Sequence, residues 1–334
     1  MSNPVLVEVT RGDRVESVHR GSIVVSDAKG RIVWSCGEGD KPVFPRSAVK
    51  SIQALPLLES GIAERLQLND EEIALAVASH SGEPDHARVA QRMLVKAGRD
   101  ASCLECGAHW PMGEAATRAL AATGAQPSAL HNNCSGKHAG FICLACGLDA
   151  DPAGYVKPDH IVQKQVTEAL SSMTGAGFDA DLCGTDGCSI PTYAIPLHAL
   201  AKAFAQIGTG EGLGPERAKA FKRIRTSVAA HPFMVAGTGR FDTDAMTIFG
   251  ERLFCKTGAE GVYCASLPEQ GLGIAMKCDD GAGRATQVMM AAVIAHYLPM
   301  SDAEGQRFKP LLTPSLVNWN KITVGQLRSV MRFS

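Results

Sequence analysis

Residues 21–36, GSIVVSDAKGRIVWSC, predict two strands joined by a turn. Gly21–Ser26 and Arg31–Cys36 are rich in β-branched residues, and the turn sequence Asp27–Gly30 lies between them. Because so short a connection joins only antiparallel strands, this segment predicts a hairpin. Similar short strands, separated by turns, are predicted at Val5–Val9, Leu253–Lys256, Gly261–Ser266 and Gly271–Lys277.

The middle of the chain is predicted to be helical. From Ser47 to about Gln206 the sequence is rich in Ala and Leu, with Asn69 and Glu72 placed as a capping box. A last helix is predicted at Gly281–Tyr297. One antiparallel sheet made from both chain ends buries the strand faces most simply, so the fold class is α/β (α+β). We expect a sheet domain formed by residues 1–45 and 225–334, a helical domain of residues 46–224, and an active site in the cleft between them.

The composition excludes several classes of protein. The 334 residues are 45% hydrophobic, which predicts a folded chain, and 33 basic against 34 acidic residues give a net charge of -1. No basic stripe indicates nucleic acid, and the longest apolar run, about Val288–Met300, is too short to span a membrane. Eleven cysteines without a secretion signal are typical of a reduced protein, so we expect a cytoplasmic location.

Three separated motifs together predict a serine hydrolase that uses lysine as its base. They are Ser47-x-x-Lys50 where the helical insert begins, Ser79–Gly82 between two helices, and Lys256–Gly258 at the end of a strand. This set is the signature of serine β-lactamases and penicillin-binding proteins. A serine in the first turn of a helix is favoured as a nucleophile, and a lysine three positions later can reach its hydroxyl. The lysine must be neutral to act as base, which burial and a second cation, here Lys256, favour.

A chance occurrence of these motifs is the alternative. Ser26-x-x-Lys29 is a second copy of the first motif, and it lies in a turn where no helix presents the serine. The middle motif also departs from the β-lactamase pattern, because Ser81 stands where an asparagine is usual. The argument therefore depends on the combination rather than on any one motif.

Cysteines suggest a metal site. Cys134 and Cys188 lie in polar, glycine-containing segments and could share a zinc ion, with His131 or His138 as a natural third ligand. Buried cysteines without a metal are the alternative. The two Cys-x-x-Cys pairs, Cys103 with Cys106 and Cys143 with Cys146, lack the spacing of a zinc ribbon and are predicted to be structural.

The sequence resembles the bacterial L-asparaginase II family, of the thermolabile or rhizobial type, over nearly its whole length. The resemblance runs from the His19–Gly21 strand to the helix after Asp279–Gly283. It rests on five blocks, which together are specific: Pro45–Lys50, Ser79–Glu83, Asn132–His138, Asp186–Cys188 and Lys256–Gly258.

The resemblance implies a serine β-lactamase- and glutaminase-like fold, a homodimer, and hydrolysis of L-asparagine to L-aspartate and ammonia. It implies two Ser–Lys pairs, Ser47 with Lys50 and Ser79 with Lys256. We expect Ser47 to attack the amide carbon, although the chemistry of the two serines is similar enough that Ser79 stays an alternative nucleophile.

The resemblance also implies about one zinc ion per chain, bound by Cys134, Lys137 and Cys188 with Asp186 nearby. Because a Ser–Lys pair needs no Lewis acid, we expect the zinc to shape the substrate pocket, with Asp186 receiving the substrate's α-ammonium. Two other functions stay open: a related glutaminase or esterase, and a zinc- or redox-sensing protein without turnover.

Overall fold

The computed structural model describes residues 2–178 and 180–333 of the chain. The strands are β1 Val5–Arg11, β2 Arg14–Asp27, β3 Ile32–Cys36, β4 Pro42–Val43, β5 Cys183–Thr185, β6 Pro191–Tyr193, β7 Ile195–Pro196, β8 Phe254–Thr257, β9 Val262–Leu267, β10 Leu272–Cys278, β11 Ser315–Val317 and β12 Thr323–Ser329. The helices are α1 Lys50–Gln53, α2 Leu55–Glu59, α3 Ile62–Arg65, α4 Asp70–Ala76, α5 Pro84–Lys96, α6 Glu114–Ala122, α7 Ser135–Gly147, α8 Ile161–Thr174, α9 Leu197–Thr209, α10 Pro215–Ala230, α11 Pro232–Ala236, α12 Phe241–Phe249, α13 Gly283–Tyr297 and α14 Asp302–Leu312.

The chain divides into two compact units. A sheet unit contains Met1–Ala48, Ile195–Gly212 and Ala245–Ser334, and a helical unit contains Val49–Ala194 and Leu213–Asp244. The division expected from the sequence, residues 1–45 with 225–334 against 46–224, differs in three places. Residues 46–48 and 195–212, which include helix α9, belong to the sheet unit, and residues 225–244 belong to the helical unit.

The sheet unit has the antiparallel sheet that the sequence predicts. Within residues 2–178 and 180–333, strands from both chain ends pair in the order β11-β12-β1-β2-β10-β9-β8, and β3 pairs with β2. Helix α9 packs on β10, β2 and β9. Gly273 permits its close approach, because a Cβ there would lie 2.0 Å from the carbonyl oxygen of Ala201. The predicted fold class is confirmed.

The C-terminal strands β11 and β12 are not predicted by the sequence pattern. Most of β12 is exposed or half-buried, and Leu327 is its one buried residue within the described part of the chain. Its place in the sheet comes from pairing with β1, where Val9 faces Leu327. At Gly325 a Cβ would lie 1.9 Å from the carbonyl oxygen of Thr10. The sequence of β12 therefore lacks the alternation of apolar and polar residues that marks a half-buried strand.

In the helical unit, α4 is anchored through Glu72. The predicted capping box is confirmed, since Asn69 and Glu72 exchange side-chain-to-backbone hydrogen bonds of 3.0 and 2.8 Å. The fully enclosed Glu72 carboxylate also accepts from Arg92 Nε at 2.7 Å and Lys96 Nζ at 2.6 Å. Burial of Glu72 favours its neutral form, but these hydrogen bonds outweigh it and lower the pKa of the carboxyl below its ordinary value.

Ser47 does not lie in the first turn of an α-helix, which corrects the sequence expectation. Arg46–Val49 form a 3₁₀ helix, and α1 begins only at Lys50. Pro56 near the start of α2 has no N–H to continue the ladder, so the two helices stay short. A helix of four residues carries little of the macrodipole that the expectation invoked.

Candidate active site

Lys50 is a buried lysine with three partners around its amine. The side chain is 1% exposed, and Nζ donates to Ser79 Oγ at 3.0 Å and to the carbonyl oxygen of Ala78. Nζ also lies 3.1 Å from Cys134 Sγ. Because burying an amine is costly unless it is hydrogen-bonded, these partners hold it in one position. The helical unit therefore contains a Ser–Lys contact, and it joins Lys50 to Ser79.

The pairs that the resemblance implies, Ser47 with Lys50 and Ser79 with Lys256, each combine residues of both units and stay predictions. Within the sheet unit, Ser47 is half-buried and Lys256 is fully enclosed on β8. The amine of Lys256 donates to the carbonyl oxygen of Thr257 at 2.9 Å.

His80 holds the segment that carries Ser79 in place, and the sequence analysis assigned it no role. Its Nδ1 accepts from the Gly82 N–H at 3.1 Å, so the proton lies on Nε2, which donates to Ser135 Oγ at 2.9 Å. Its own backbone N–H donates to the carbonyl oxygen of Asn133 at 3.2 Å. His80, the residue after Ser79, therefore binds to Asn133 and Ser135, the two neighbours of Cys134 in the chain.

His80 performs this role as a neutral ring. Complete burial, together with electrostatic interaction with His86 and Lys50, lowers the pKa of His80 well below its ordinary value. A neutral imidazole has one donor and one acceptor, and both are used here. The only sequence signal for this contact was its position inside the Ser79–Gly82 motif.

Cys134, Lys137 and Cys188 are brought together, as the resemblance implies. All three are buried, and Lys137 Nζ lies 3.0 Å from Cys188 Sγ. The Cys188 thiol donates to Cys134, which lowers the pKa of Cys134 well below its ordinary value and raises that of Cys188. Burial favours neutral Lys137, but the two sulfurs outweigh it and raise the pKa of the Lys137 amine.

Neither histidine suggested by the residue pattern takes the third position in this cluster. His131 Nδ1 bonds to Ser128, and His138 Nδ1 bonds to the hydroxyl of Tyr155 at 2.6 Å. Lys137 replaces them because it lies in the first turn of α7, three residues after Cys134. Positions three apart on a helix share a face.

Asp186 and Cys188 occupy one tight turn between β5 and β6. The Asp186 N–H donates to the carbonyl oxygen of Ile190 at 2.8 Å, and the Ser189 N–H donates to the carbonyl oxygen of Asp186 at 2.8 Å. Ser189 has a φ of 78°, in the left-handed region that few non-glycine residues adopt. The half-buried Asp186 acts electrostatically on Lys137 and Cys188, and its Oδ1 accepts a hydrogen bond from the Cys188 N–H at 3.4 Å.

The donor set of Cys134, Lys137 and Cys188 fits a zinc ion. Two sulfurs and one nitrogen converge; cysteine sulfur is an ordinary zinc ligand, whereas a lysine amine is an unusual one. Lysine ligation further requires that Lys137 lose its proton, and Asp186 is an acidic neighbour outside the donor set.

A second group of metal-ligating side chains lies in the sheet unit. The ligand atoms of His19, Cys278 and Asp280 lie within 4.8 Å of one another. In the described part of the chain, no such group of His, Cys, Asp or Glu includes the Cys-x-x-Cys pairs. Cys143 is buried within α7, and Cys106 is also buried.

A mixed fold with a buried lysine bonded to a serine hydroxyl is typical of hydrolases that activate serine with lysine. The sequence model of L-asparaginase II matches residues 7–329, nearly the whole chain, and the chain belongs to this family. It is therefore an amidohydrolase that acts on a small molecule. No curated protein matches the chain significantly. Along residues 2–178 and 180–333, no helix is long and apolar enough to cross a membrane.

Several solved structures are similar to the chain. A β-lactamase from Mycobacterium bovis shares 12% identity, covering 84% of this chain and 95% of its own, with a TM-score of 0.37. Unliganded simvastatin synthase from Aspergillus terreus shares 11%, covering 86% and 94%, with a TM-score of 0.43. The D-alanine carboxypeptidase AmpC from Burkholderia cenocepacia shares 14%, covering 83% and 93%, with a TM-score of 0.42.

Proposed function

We propose that the protein is an L-asparaginase, which hydrolyses L-asparagine to L-aspartate and ammonia through a serine nucleophile. The observation that carries the proposal is the buried contact of 3.0 Å between Lys50 Nζ and Ser79 Oγ. A lysine enclosed with a serine hydroxyl can move a proton without exchanging it with solvent. Membership of the L-asparaginase II family supports the choice of a small amide as substrate.

In the proposed reaction, Ser47 Oγ attacks the side-chain amide carbon and Lys50 takes the hydroxyl proton. Ser79 passes that proton to the leaving nitrogen, the C–N bond breaks, and ammonia departs. Water, deprotonated by the same lysine, then cleaves the acyl-serine ester and releases L-aspartate. Lys256 contributes positive charge that favours the neutral form of Lys50. Ser47 is assigned the attack because it is half-buried, whereas Ser79 is 5% exposed.

The proposal includes a zinc ion held by Cys134, Lys137 and Cys188. When bound, the metal supplies a fixed positive charge and a rigid link between the start of α7 and the turn after β5. Asp186, which lies in that turn, would receive the α-ammonium of the substrate. The proposed enzyme is a homodimer, which light scattering of the purified protein tests.

Ammonia release from L-asparagine, with L-glutamine and a simple ester beside it, tests the proposed substrate. Turnover of asparagine alone or best supports the proposal, preference for glutamine or ester makes the protein a related hydrolase, and no turnover favours a sensing role. Ser47→Ala should lower turnover by several orders of magnitude.

Ser51→Ala is the matched control for this substitution. Ser51 lies four residues further along, and its buried hydroxyl has no hydrogen-bond partner among the described residues. Its removal should leave activity within a few-fold of wild type. If Ser47→Ala also retains near wild-type activity, the nucleophile is Ser79 instead.

A further inference from the structure

We propose that His19, Cys278 and Asp280 bind a divalent transition-metal ion, such as Zn²⁺, at a site that shares no residue with the Cys134–Cys188 cluster. The three ligand atoms converge on one point of the sheet unit. The Asp280 carboxylate lies 2.6 Å from His19 Nδ1 through one oxygen and 3.0 Å from Cys278 Sγ through the other. All three ligand atoms lie within 4.8 Å of one another.

The backbone fixes two of these donors before any metal arrives. His19 is on β2 and Cys278 ends β10, and these strands pair so that Cys278 faces Gly21. The Asp279 N–H extends that pairing by donating to the carbonyl oxygen of Arg20 at 2.9 Å. Strand pairing therefore sets the separation of His19 and Cys278, which is the property that a preorganised metal site requires.

The turn after β10 brings the third donor back toward the first two. Gly281 has a φ of 77°, and the Ala282 N–H donates to Asp280 Oδ1 at 2.9 Å. At Gly261, a Cβ would lie 2.9 Å from the Cβ of Cys278, so glycine is needed for the chain to pass over the cysteine. These contacts hold Asp280 against the cysteine and the histidine.

The ligand chemistry suits a borderline metal such as zinc. Imidazole nitrogen, thiolate sulfur and carboxylate oxygen are the three ligand types that zinc takes in proteins. Binding releases the Cys278 thiol proton to solvent and moves the His19 proton from Nδ1 to Nε2. One thiolate and one carboxylate then balance the two positive charges of the ion. The nearby Lys277 amine donates to the carbonyl oxygens of Glu260 and Cys278, both at 2.6 Å, and is not a competing ligand.

The geometry allows the ion to enter with a small movement. Tetrahedral zinc places its donors roughly 3.3–3.8 Å apart, so the Asp280 carboxylate must withdraw by about 1 Å or less. Asp280 can do so because its side chain is 49% exposed, whereas that of His19 is 6% exposed. The exposed side of Asp280 is also the entry path, and water there would complete the fourth position. The metal would clamp β2 to the turn that precedes α13.

Cobalt titration tests the proposal without using enzyme activity. We would add Co²⁺ to the Cys134→Ser/Cys188→Ser double variant, which lacks the two cysteines of the other proposed zinc site. We expect one equivalent to bind with a thiolate-to-cobalt charge-transfer band and a tetrahedral visible spectrum. Adding Cys278→Ser should abolish the charge-transfer band, and His19→Gln should weaken cobalt binding at least tenfold.

Cys36→Ser is the matched control, because Cys36 lies on β3, also paired with β2, and is not a ligand. It should keep the full spectrum. Absence of a thiolate band at one equivalent, or a band that survives Cys278→Ser, would overturn the proposal. If the background variant does not fold, zinc content of purified protein decides: Cys278→Ser must lower it by about one ion per chain, and an unchanged content refutes the site.

Discussion

Replacing Lys50 and Ser79, singly and together, measures whether their contact belongs to the catalytic machinery. Lys50→Met removes the amine and keeps most of the buried stem, and Ser79→Ala removes the hydroxyl to which that amine donates at 3.0 Å. Both side chains are buried, so solvent does not readily take the place of either group. The effect of each change should therefore report the loss of one proton-transfer partner.

The expected magnitude follows from proton transfer by a positioned group. Such a group contributes about 10²–10⁴-fold to turnover, which is about 3–5 kcal/mol at 1.36 kcal/mol per factor of ten. If the two residues work as one unit, either single variant loses most of this. We expect the double variant to be less than tenfold slower than the slower single variant. The coupling energy would then be about 3 kcal/mol.

Ammonia release over a range of asparagine concentrations gives kcat and kcat/KM for each variant, and circular dichroism checks folding. Ser81→Ala is the control, because its hydroxyl is in the same segment but donates to the carbonyl oxygen of Ala236 at 2.8 Å. When Ser81→Ala is combined with Lys50→Met, the effects of the two substitutions on the activation free energy should add to within ~0.5 kcal/mol. If the free-energy effects of Lys50→Met and Ser79→Ala add in the same way, so that their fold losses in rate multiply, the contact is structural and the proposed proton relay is wrong.

Three further outcomes are expected. Metal analysis should find about one zinc ion per chain in the wild-type protein and none at this site in Cys134→Ser or Cys188→Ser. Removing the zinc should raise KM more than it lowers kcat, as loss of ground-state binding does. An unchanged KM with an abolished kcat would contradict a role of the zinc in substrate binding. Turnover should rise with pH through about 7–9, and Lys256→Met should move that rise to higher pH, which pH–rate profiles check; a rise that stays in place contradicts the role of Lys256. Glu72→Gln should lower the free energy of unfolding by about 2–4 kcal/mol at neutral pH, against under about 1 kcal/mol for the more exposed Glu71→Gln. Because the pKa of Glu72 is lowered from 4.5, its contribution is complete above that pH and is lost as the pH falls further, so urea unfolding curves of wild type and Glu72→Gln should converge in acid.

Most of the strands that the sequence predicts have buried apolar residues and clear turns, although β3 has no buried residue. In β9, β10 and the part of β2 that pairs with β10, nearly every residue is buried. Asp27–Gly30 provides the turn between β2 and β3. β12 has neither signal, because its pairing with β1 comes from tertiary structure. The break between α1 and α2 was readable at Pro56, but the helical composition around it outweighed that signal.

The site divides in the same way. Residue types and motif spacing selected Lys50, Ser79, Cys134 and Cys188 as candidates, because the proposed chemistry needs amines, hydroxyls and thiols. They did not identify which of these residues touch. Lys50 and Cys134 are 84 positions apart, and their 3.1 Å contact depends on how the helices pack.

The contact between Lys50 and Cys134 connects the Lys50–Ser79 pair directly to the cluster of Cys134, Lys137 and Cys188. A substitution in the cluster can therefore affect Lys50 as well as the metal. Cys134→Ser removes a proposed zinc ligand and also a partner of the Lys50 amine. Cys188→Ser removes a proposed zinc ligand whose sulfur contacts the Lys137 amine instead. If zinc acts only on substrate binding, both variants should raise KM, but Cys134→Ser should also lower kcat. The difference in kcat between the two variants therefore measures the influence of Cys134 on Lys50, separately from the influence of the metal.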